Sequence, residues 1–281
     1  MIVYGGYNMQ VGVLVELDHN IEIKFQEIID MGMSCCQLVS WDEDMFTGEM
    51  AERVNMAVKK YKVHITAFWC GWSGPVAWDL YDGLVTLGLV PKAYRFQRLQ
   101  TLKRGSDFAK LMKIPNLITH VGFIPENPYD ENYAEVLVAL KELVKKCKEN
   151  GQNFLFETGQ ETPVTLKRAI EDIGSDHVGI NLDPANLIMY GKANPIDALD
   201  IFGEHVMGIH GKDAKYPVNG RNLGTETPLG EGKVDYPRFI AKLKEIGYQG
   251  DITIEREISG EEQKRDIRAA KEVLDQLIID F

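Results

Sequence analysis

Residues 153–183, NFLFETGQETPVTLKRAIEDIGSDHVGINLD, hold two short apolar runs that each finish on a carboxylate, with a helix-like stretch between them. The first run ends at Glu157 and the second at Asp183. Apolar runs of this length, bounded by polar or turn residues, read as strands covered on both faces of a parallel sheet. Strand, helix and strand in that order form the βα unit with its right-handed crossover. The same ending recurs downstream, at His210 in VMGIHGKD and at Glu255 in ITIERE. Four successive strand ends therefore deliver two Glu, one Asp and one His to one rim, and in a closed barrel the C-terminal rim carries the chemistry.

Working outward, strand-like runs fall near 2–7, 35–40, 64–70, 116–122, 153–158, 178–183, 206–210 and 251–256. Amphipathic stretches lie between them, including EIKFQEIIDMG at 22–32, residues 133–149 and YPRFIAKLKEIG at 236–247. In the first of these, Ile23, Ile28 and Ile29 are expected to face the core. Eight alternating units predict an α/β fold, one (β/α)8 barrel domain spanning 1–281. An open doubly wound sheet competes, but no GxGxxG turn follows the first run and no GxxxxGK[ST] occurs.

The formal charge of −11 repels polyanions and argues against nucleic-acid or acidic-membrane partners. Cys35, Cys36, Cys70 and Cys147 form neither a disulfide framework nor a paired CxxC motif. The opening MIVYGGYNMQ lacks a basic segment leading into an apolar run, and no stretch approaches the ~18 apolar residues of a membrane helix. A cytoplasmic protein without membrane contact is expected. Two connections, 71–91 with Trp72, Trp78 and Tyr81, and 211–233, are long for a barrel and are expected to be functional. The first reads as a substrate lid or a subunit contact.

Carboxylates mixed with one imidazole, and no thiol, suit Mn2+, Mg2+, Co2+ or Zn2+. A charge at the end of a buried strand is costly unless paired or coordinated. One such Glu is ordinarily a cap or an ion-pair member; four in succession point to a shared cause.

The order Glu, Asp, His, Glu, together with FETGQET, NLDPANL, HGKD (His210 to Asp213) and PLGEGKVDYPRFIAKLKEIGYQG ahead of ITIERE, resembles the sugar phosphate isomerase/epimerase group of the xylose isomerase-like TIM barrel superfamily. The likeness runs over essentially the whole chain and is strongest from about residue 150. It implies one divalent ion held by Glu157, Asp183, His210 and Glu255, and a ketose or sugar phosphate as substrate. It also implies that Glu157 and Glu255 remove and return a proton beside a metal-bound carbonyl, through an enediolate. Where many epimerases carry Asp-x-x-His, this chain has Asp183-Pro184-Ala185-Asn186, which keeps a hydrogen-bonding group and loses a charged one.

Substrate contacts are expected from His120, Asn186, Lys212, Arg221, Trp69 and Tyr7, with Trp41 joining the two aromatic residues as an apolar wall. Lys212 and Asp213 also read as a salt bridge behind the site, Arg221 and Lys233 as solvated surface, and Glu231 as the organiser of the Gly-Glu-Gly turn. The alternative on the same site is dehydration of an inosose-type cyclitol; a silent sugar-binding barrel would call for a missing metal ligand, and none is missing. The related apurinic-site endonucleases use a three-zinc cluster with Asp-x-x-His and Asp-x-His elements, and neither is present. The resemblance further implies a homo-oligomer joined through site-side loops.

Overall fold

Eight parallel strands close into a barrel in the computed structural model, which describes residues 9–280. In chain order the strands are β1 (Val11–Glu16), β2 (Cys35–Ser40), β3 (His64–Cys70), β4 (Asn116–Thr119), β5 (Asn153–Glu157), β6 (Val178–Leu182), β7 (Val206–Gly211), β8 (Asp213–Lys215), β9 (Thr225–Thr227) and β10 (Ile252–Ile254). Around the barrel they run β1-β10-β7-β6-β5-β4-β3-β2, while β8 and β9 pair antiparallel outside it. Helices alternate with the barrel strands, so the fold is a (β/α)8 barrel.

Two expectations need correction, and one connection holds an element with no signal in the sequence. The barrel opens on Val11–Glu16, a run not counted as a strand in the sequence reading; the run at 2–7 and Tyr7 lie outside the described residues. Gly12 suits that position, because a Cβ there would sit 2.7 Å from the Cys35 carbonyl oxygen on the neighbouring strand. The helix Ile21–Asp30 buries Ile21, Phe25 and Ile28, whereas Ile23 is 62% exposed and Ile29 37%. The buried set follows i, i+4, i+7, and Ile23 falls on the far side of that stripe. The connection 211–233 contains the β8–β9 hairpin, whose strands of three residues are too short to show a sequence period.

Alternation along each strand sorts the core. Phe154 and Phe156 face the helices, while Leu155 and Glu157 share the opposite side. Leu155 packs there with Ala67, Trp69, Trp72 and Ile118 in a small second cluster. The helices are bounded by local chemistry. In Pro163–Ile173, the Thr162 hydroxyl caps Thr165 N–H, Pro163 opens the first turn, and Gly174 closes at φ +69°. Such caps fix where each helix returns the chain to the barrel floor, and so where the next strand ends.

Candidate metal centre

The four strand ends meet. Glu157 closes β5, Asp183 follows β6, His210 lies in β7 and Glu255 follows β10, and one donor atom from each falls within 4.8 Å of the others. His210 Nδ1 lies 3.0 Å from Glu157 Oε1, 2.9 Å from Glu255 Oε2 and 3.7 Å from Asp183 Oδ2. Asp183 and His210 are fully buried, and Glu157 is nearly so.

Three of the four donors are aimed by separate contacts. Asp183 caps the helix Pro184–Met189: its Oδ1 accepts the Asn186 N–H at 2.9 Å, which leaves Oδ2 turned to the centre. Thr158 Oγ1 donates to Asp183 O and accepts from Asp183 N, both at 2.9 Å, clamping the end of β5 to that of β6. Gln37, buried in β2, donates to Asn181 Oδ1 at 3.0 Å, so its Oε1 is the oxygen 2.8 Å from His210 Nε2. That acceptor places the ring proton on Nε2 and points Nδ1 at the carboxylates. The Trp69 indole N–H donates to Glu157 Oε2, and His120 Nε2 lies 3.3 Å from the same oxygen.

These atoms fit a divalent cation. Asp183 Oδ2, His210 Nδ1 and Glu255 Oε2 are buried at one point, and none has a hydrogen-bond partner. Buried polar atoms are normally satisfied, so three converging lone pairs ask for positive charge. The titration directions agree. Burial alone would depress His210, but the Glu255 and Glu157 charges push it well above its usual value. Burial likewise opposes a charged Lys212, and Glu255, Glu257 and Asp183 drive it up. Burial would raise Glu157, yet His120 and His210 hold it at about 2. Three carboxylates and one neutral imidazole make an oxygen-rich site without a thiol, the donor set for one Mn2+, Mg2+, Co2+ or Zn2+ ion.

Among the other expected residues, Trp69, His120 and Asn186 line the cavity above the centre, and Trp41 forms part of its wall. Lys212 is buried and committed to carboxylates: its ammonium lies 2.6 Å from Glu257, 3.5 Å from Glu255 and 3.6 Å from Asp183. Asp213 accepts the Gly230, Gly232 and Val234 N–H groups, each at 3.0 Å, so the last residue of HGKD organises the Gly-Glu-Gly turn. A Cβ at Gly232 would lie 2.0 Å from its Oδ1. Glu231 and Lys233 are exposed, and Arg221 lies outside the cavity with its guanidinium 5.0 Å over Tyr81. Sequence reasoning missed Gln37, whose signal was a polar residue inside the apolar run CCQLVS, and Tyr190, which faces the cavity from the turn after Met189.

A closed (β/α)8 barrel with a buried carboxylate and imidazole centre at its C-terminal rim defines the class. The chain belongs to the xylose isomerase-like TIM barrel family, which it matches over residues 25–277. It is similar to a solved xylose isomerase domain protein from Planctomyces limnophilus, 34% identical, covering 97% of this chain and 98% of that one at a TM-score of 0.91. An uncharacterized protein of Methanocaldococcus jannaschii is 29% identical over 174 residues, 58% of this chain and 56% of that protein. Inosose dehydratase of Lacticaseibacillus casei is 22% identical over 144 residues, 46% of this chain and 48% of that enzyme. Structures of a D-tagatose 3-epimerase-like protein and of a D-psicose 3-epimerase share the fold at TM-scores of 0.74 and 0.71. Among the described residues, no helix is long and apolar enough to cross a membrane.

Proposed function

We propose that the protein is a divalent-metal-dependent epimerase or isomerase of a ketosugar, moving a proton at the carbon beside the carbonyl. The observation that carries this is the meeting of Asp183 Oδ2, His210 Nδ1 and Glu255 Oε2, unpartnered and buried, on the floor of a cavity lined by both Glu157 and Glu255. When bound, a divalent ion supplies the positive charge that polarises a substrate carbonyl and acidifies the adjoining C–H.

The chain's own residues supply the rest. Asp183 and His210 hold the floor, fixed by the helix cap and by Gln37. Glu255 gives its buried Oε2 to the floor, lines the cavity, and moves the proton at the substrate carbon through its carboxylate. Glu157 shares that task, with Oε1 turned to His210 and Oε2 accepting the Trp69 N–H. Lys212 sets its ammonium 3.5 Å from Glu255, and Asn186 binds a sugar hydroxyl. Epimerases among the solved relatives support this reading, and the inosose dehydratase relative supports a second one, in which the same proton removal is followed by loss of water.

The test is metal analysis of the purified protein, then incubation of the metal-loaded protein with a panel of ketoses in D2O, followed by NMR. Deuterium is expected at the carbon beside the carbonyl, and Glu157→Gln or Glu255→Gln abolishes it. An unsaturated diketone absorbance would select the dehydratase reading. The proposal fails if every C–H survives and neither variant changes any measured property.

A further inference from the structure

All four tryptophans of the chain, Trp41, Trp69, Trp72 and Trp78, lie in one cluster beside the metal centre. Trp69 is at its inner end, 5% exposed and bonded to Glu157. Trp41 lies next, with ring centroids 5.0 Å apart, and Trp78 a further 6.2 Å on. Exposure rises along this line, to 42% at Trp41 and 44% at Trp78. The outer two line a cavity of about 730 Å³. One hexose ring fills on the order of 200 Å³, counting each of its carbon–oxygen units as about one water volume, ~30 Å³. A single ring held against the strand ends therefore leaves most of the cavity, and the outer tryptophans, uncovered.

The charges of the lining restrict what fills that space. Glu16, Glu157, Glu255 and Glu257 line the cavity, and no Lys or Arg among the described residues does. The nearest buried ammonium, Lys212, is already shared among three carboxylates. A phosphate on the outer ring would bring nearly two negative charges to a wall of carboxylates with no Lys or Arg among the described lining residues to receive it. Hydroxyl groups, by contrast, donate to carboxylates, and the C–H face of a sugar ring stacks on indole. Residues 222–224 also line the space, held by Gly224 N–H to Met189 O at 2.9 Å, and the Leu80 N–H ties this segment to the tryptophan-bearing connection through Arg221 O at 2.8 Å. The outer subsite is thus a bounded slot with one aromatic side and an acidic rim.

We infer that the substrate is an uncharged ketosugar carrying a second ring, the reacting ring at the strand ends and the second stacked on Trp41 and Trp78. The identity of the reacting ring rests on the proposed function; the second-ring subsite rests on the cavity itself. Two sources share this chemistry, a disaccharide ending in a ketose and a glycoside oxidised to a ketone on its ring.

Because every tryptophan lies in this cluster, quenching of intrinsic emission reports binding there without relying on turnover. The holoprotein is titrated with isomaltulose, with fructose, with fructose phosphate, and with phenyl and methyl hexosides oxidised at one ring carbon. The expected result is that isomaltulose binds at least about tenfold tighter than fructose, or the phenyl ketohexoside at least about tenfold tighter than the methyl one, the gain of one added aromatic contact. Whichever pair shows the gain identifies the source, and fructose phosphate binds more weakly than fructose. Trp78→Ala removes most of the advantage of the second ring, and Trp78→Phe restores it. Tighter binding of the phosphate, equal binding of one-ring and two-ring sugars, or no binding by either two-ring class overturns the inference. The same samples followed in D2O separate the two claims. Two-ring binding without C–H exchange in any sugar retains the subsite and rejects the proposed reaction; exchange without the two-ring preference does the reverse.

Discussion

The ends of β5, β6, β7 and β10 and the two long connections, 71–91 and 211–233, face the same cavity and are built on opposite principles. At the strand ends three of the four donors are aimed by a side-chain contact: Asp183 by its helix cap, His210 by Gln37, Glu157 by Trp69. The connections are held largely through their backbone groups, Leu80 N–H to Arg221 O, Gly224 N–H to Met189 O, and the Asp213 carboxylate to amides in and after the Gly-Glu-Gly turn. The difference separates tasks: a rigid floor fixes which bond can be activated, and a wall on loops decides what is brought to it.

If that division is right, the largest losses come from the floor. His210→Ala removes a fully buried donor, and the expected outcome is a protein that retains little metal after dialysis and loses at least about 10³-fold in C–H exchange, since charge stabilisation by the ion contributes several kcal/mol. Elemental analysis and D2O exchange measure the two effects. Glu255→Gln keeps the shape and deletes the base, so exchange falls by about 10²–10⁴-fold while the melting temperature changes little. Full exchange by either variant would remove the site from the reaction.

The wall yields differently. Arg98 is fully buried in the helix Lys92–Leu111, and its guanidinium donates to the carbonyls of Ser73 (3.3 Å), Pro75 (2.9 Å), Thr86 (2.6 Å) and Gly88 (2.8 Å), with Trp72 beneath it at 5.2 Å. Burial lowers its pKa to about 10, which leaves it charged at neutral pH. One side chain thus ties down the tryptophan-bearing connection and makes it a fixed wall. Arg98→Leu is expected to destabilise the protein by about 2–4 kcal/mol, because several carbonyls lose a charged donor at once. Thermal melting would show the loss, and limited proteolysis would place new cleavage within 71–91 while metal content stays near one ion per chain. Cleavage elsewhere would mean that Arg98 does not hold this segment.

The contrast also explains what could be read in the sequence. Asp183, His210 and the two glutamates were legible because a polar residue ending an apolar run is a local pattern, visible without knowing any partner. Gln37 was not, because its meaning depends on His210, 173 residues away. The role of Asp213 was hidden for the same reason: its acceptors are satisfied by amides of residues 230–234, so HGKD and the Gly-Glu-Gly turn are two halves of one device. The helix Ile21–Asp30 was placed correctly and rotated wrongly, since isoleucines at 21, 23, 28 and 29 fit more than one stripe until the barrel selects Ile21 and Ile28. Gln37 supplies a prediction of intermediate size. Gln37→Leu leaves Nε2 of His210 without its acceptor and is expected to weaken metal affinity by about 10–100-fold, measured by competition with a chelator. Unchanged affinity would show that the β7 backbone alone orients the ring.

The finest test compares two buried glutamates four residues apart. Glu157 faces His120 and His210 and stays ionised; Glu161, in the turn ahead of the helix Pro163–Ile173, is buried without a close cation, and burial pushes its carboxyl up to about 8 despite backbone N–H groups and the more distant Lys192. Its Oε2 has no hydrogen-bond partner. A carboxyl whose folded pKa is raised contributes stability that is fully present below its unfolded pKa, near 4.5, and is lost as pH rises toward 8. Glu161→Gln has no proton to lose. The variant should therefore match the parent near pH 5, gain on it through pH 6 and 7, and level off above about 8 with an advantage on the order of 1–3 kcal/mol, less than the full shift implies because water and Lys192 relax around the charge. Urea denaturation across that range reads the difference directly. A difference that stays flat with pH would mean that Glu161 is ionised throughout, and the wall behind Tyr190 would then have to hold a compensating charge as the floor does.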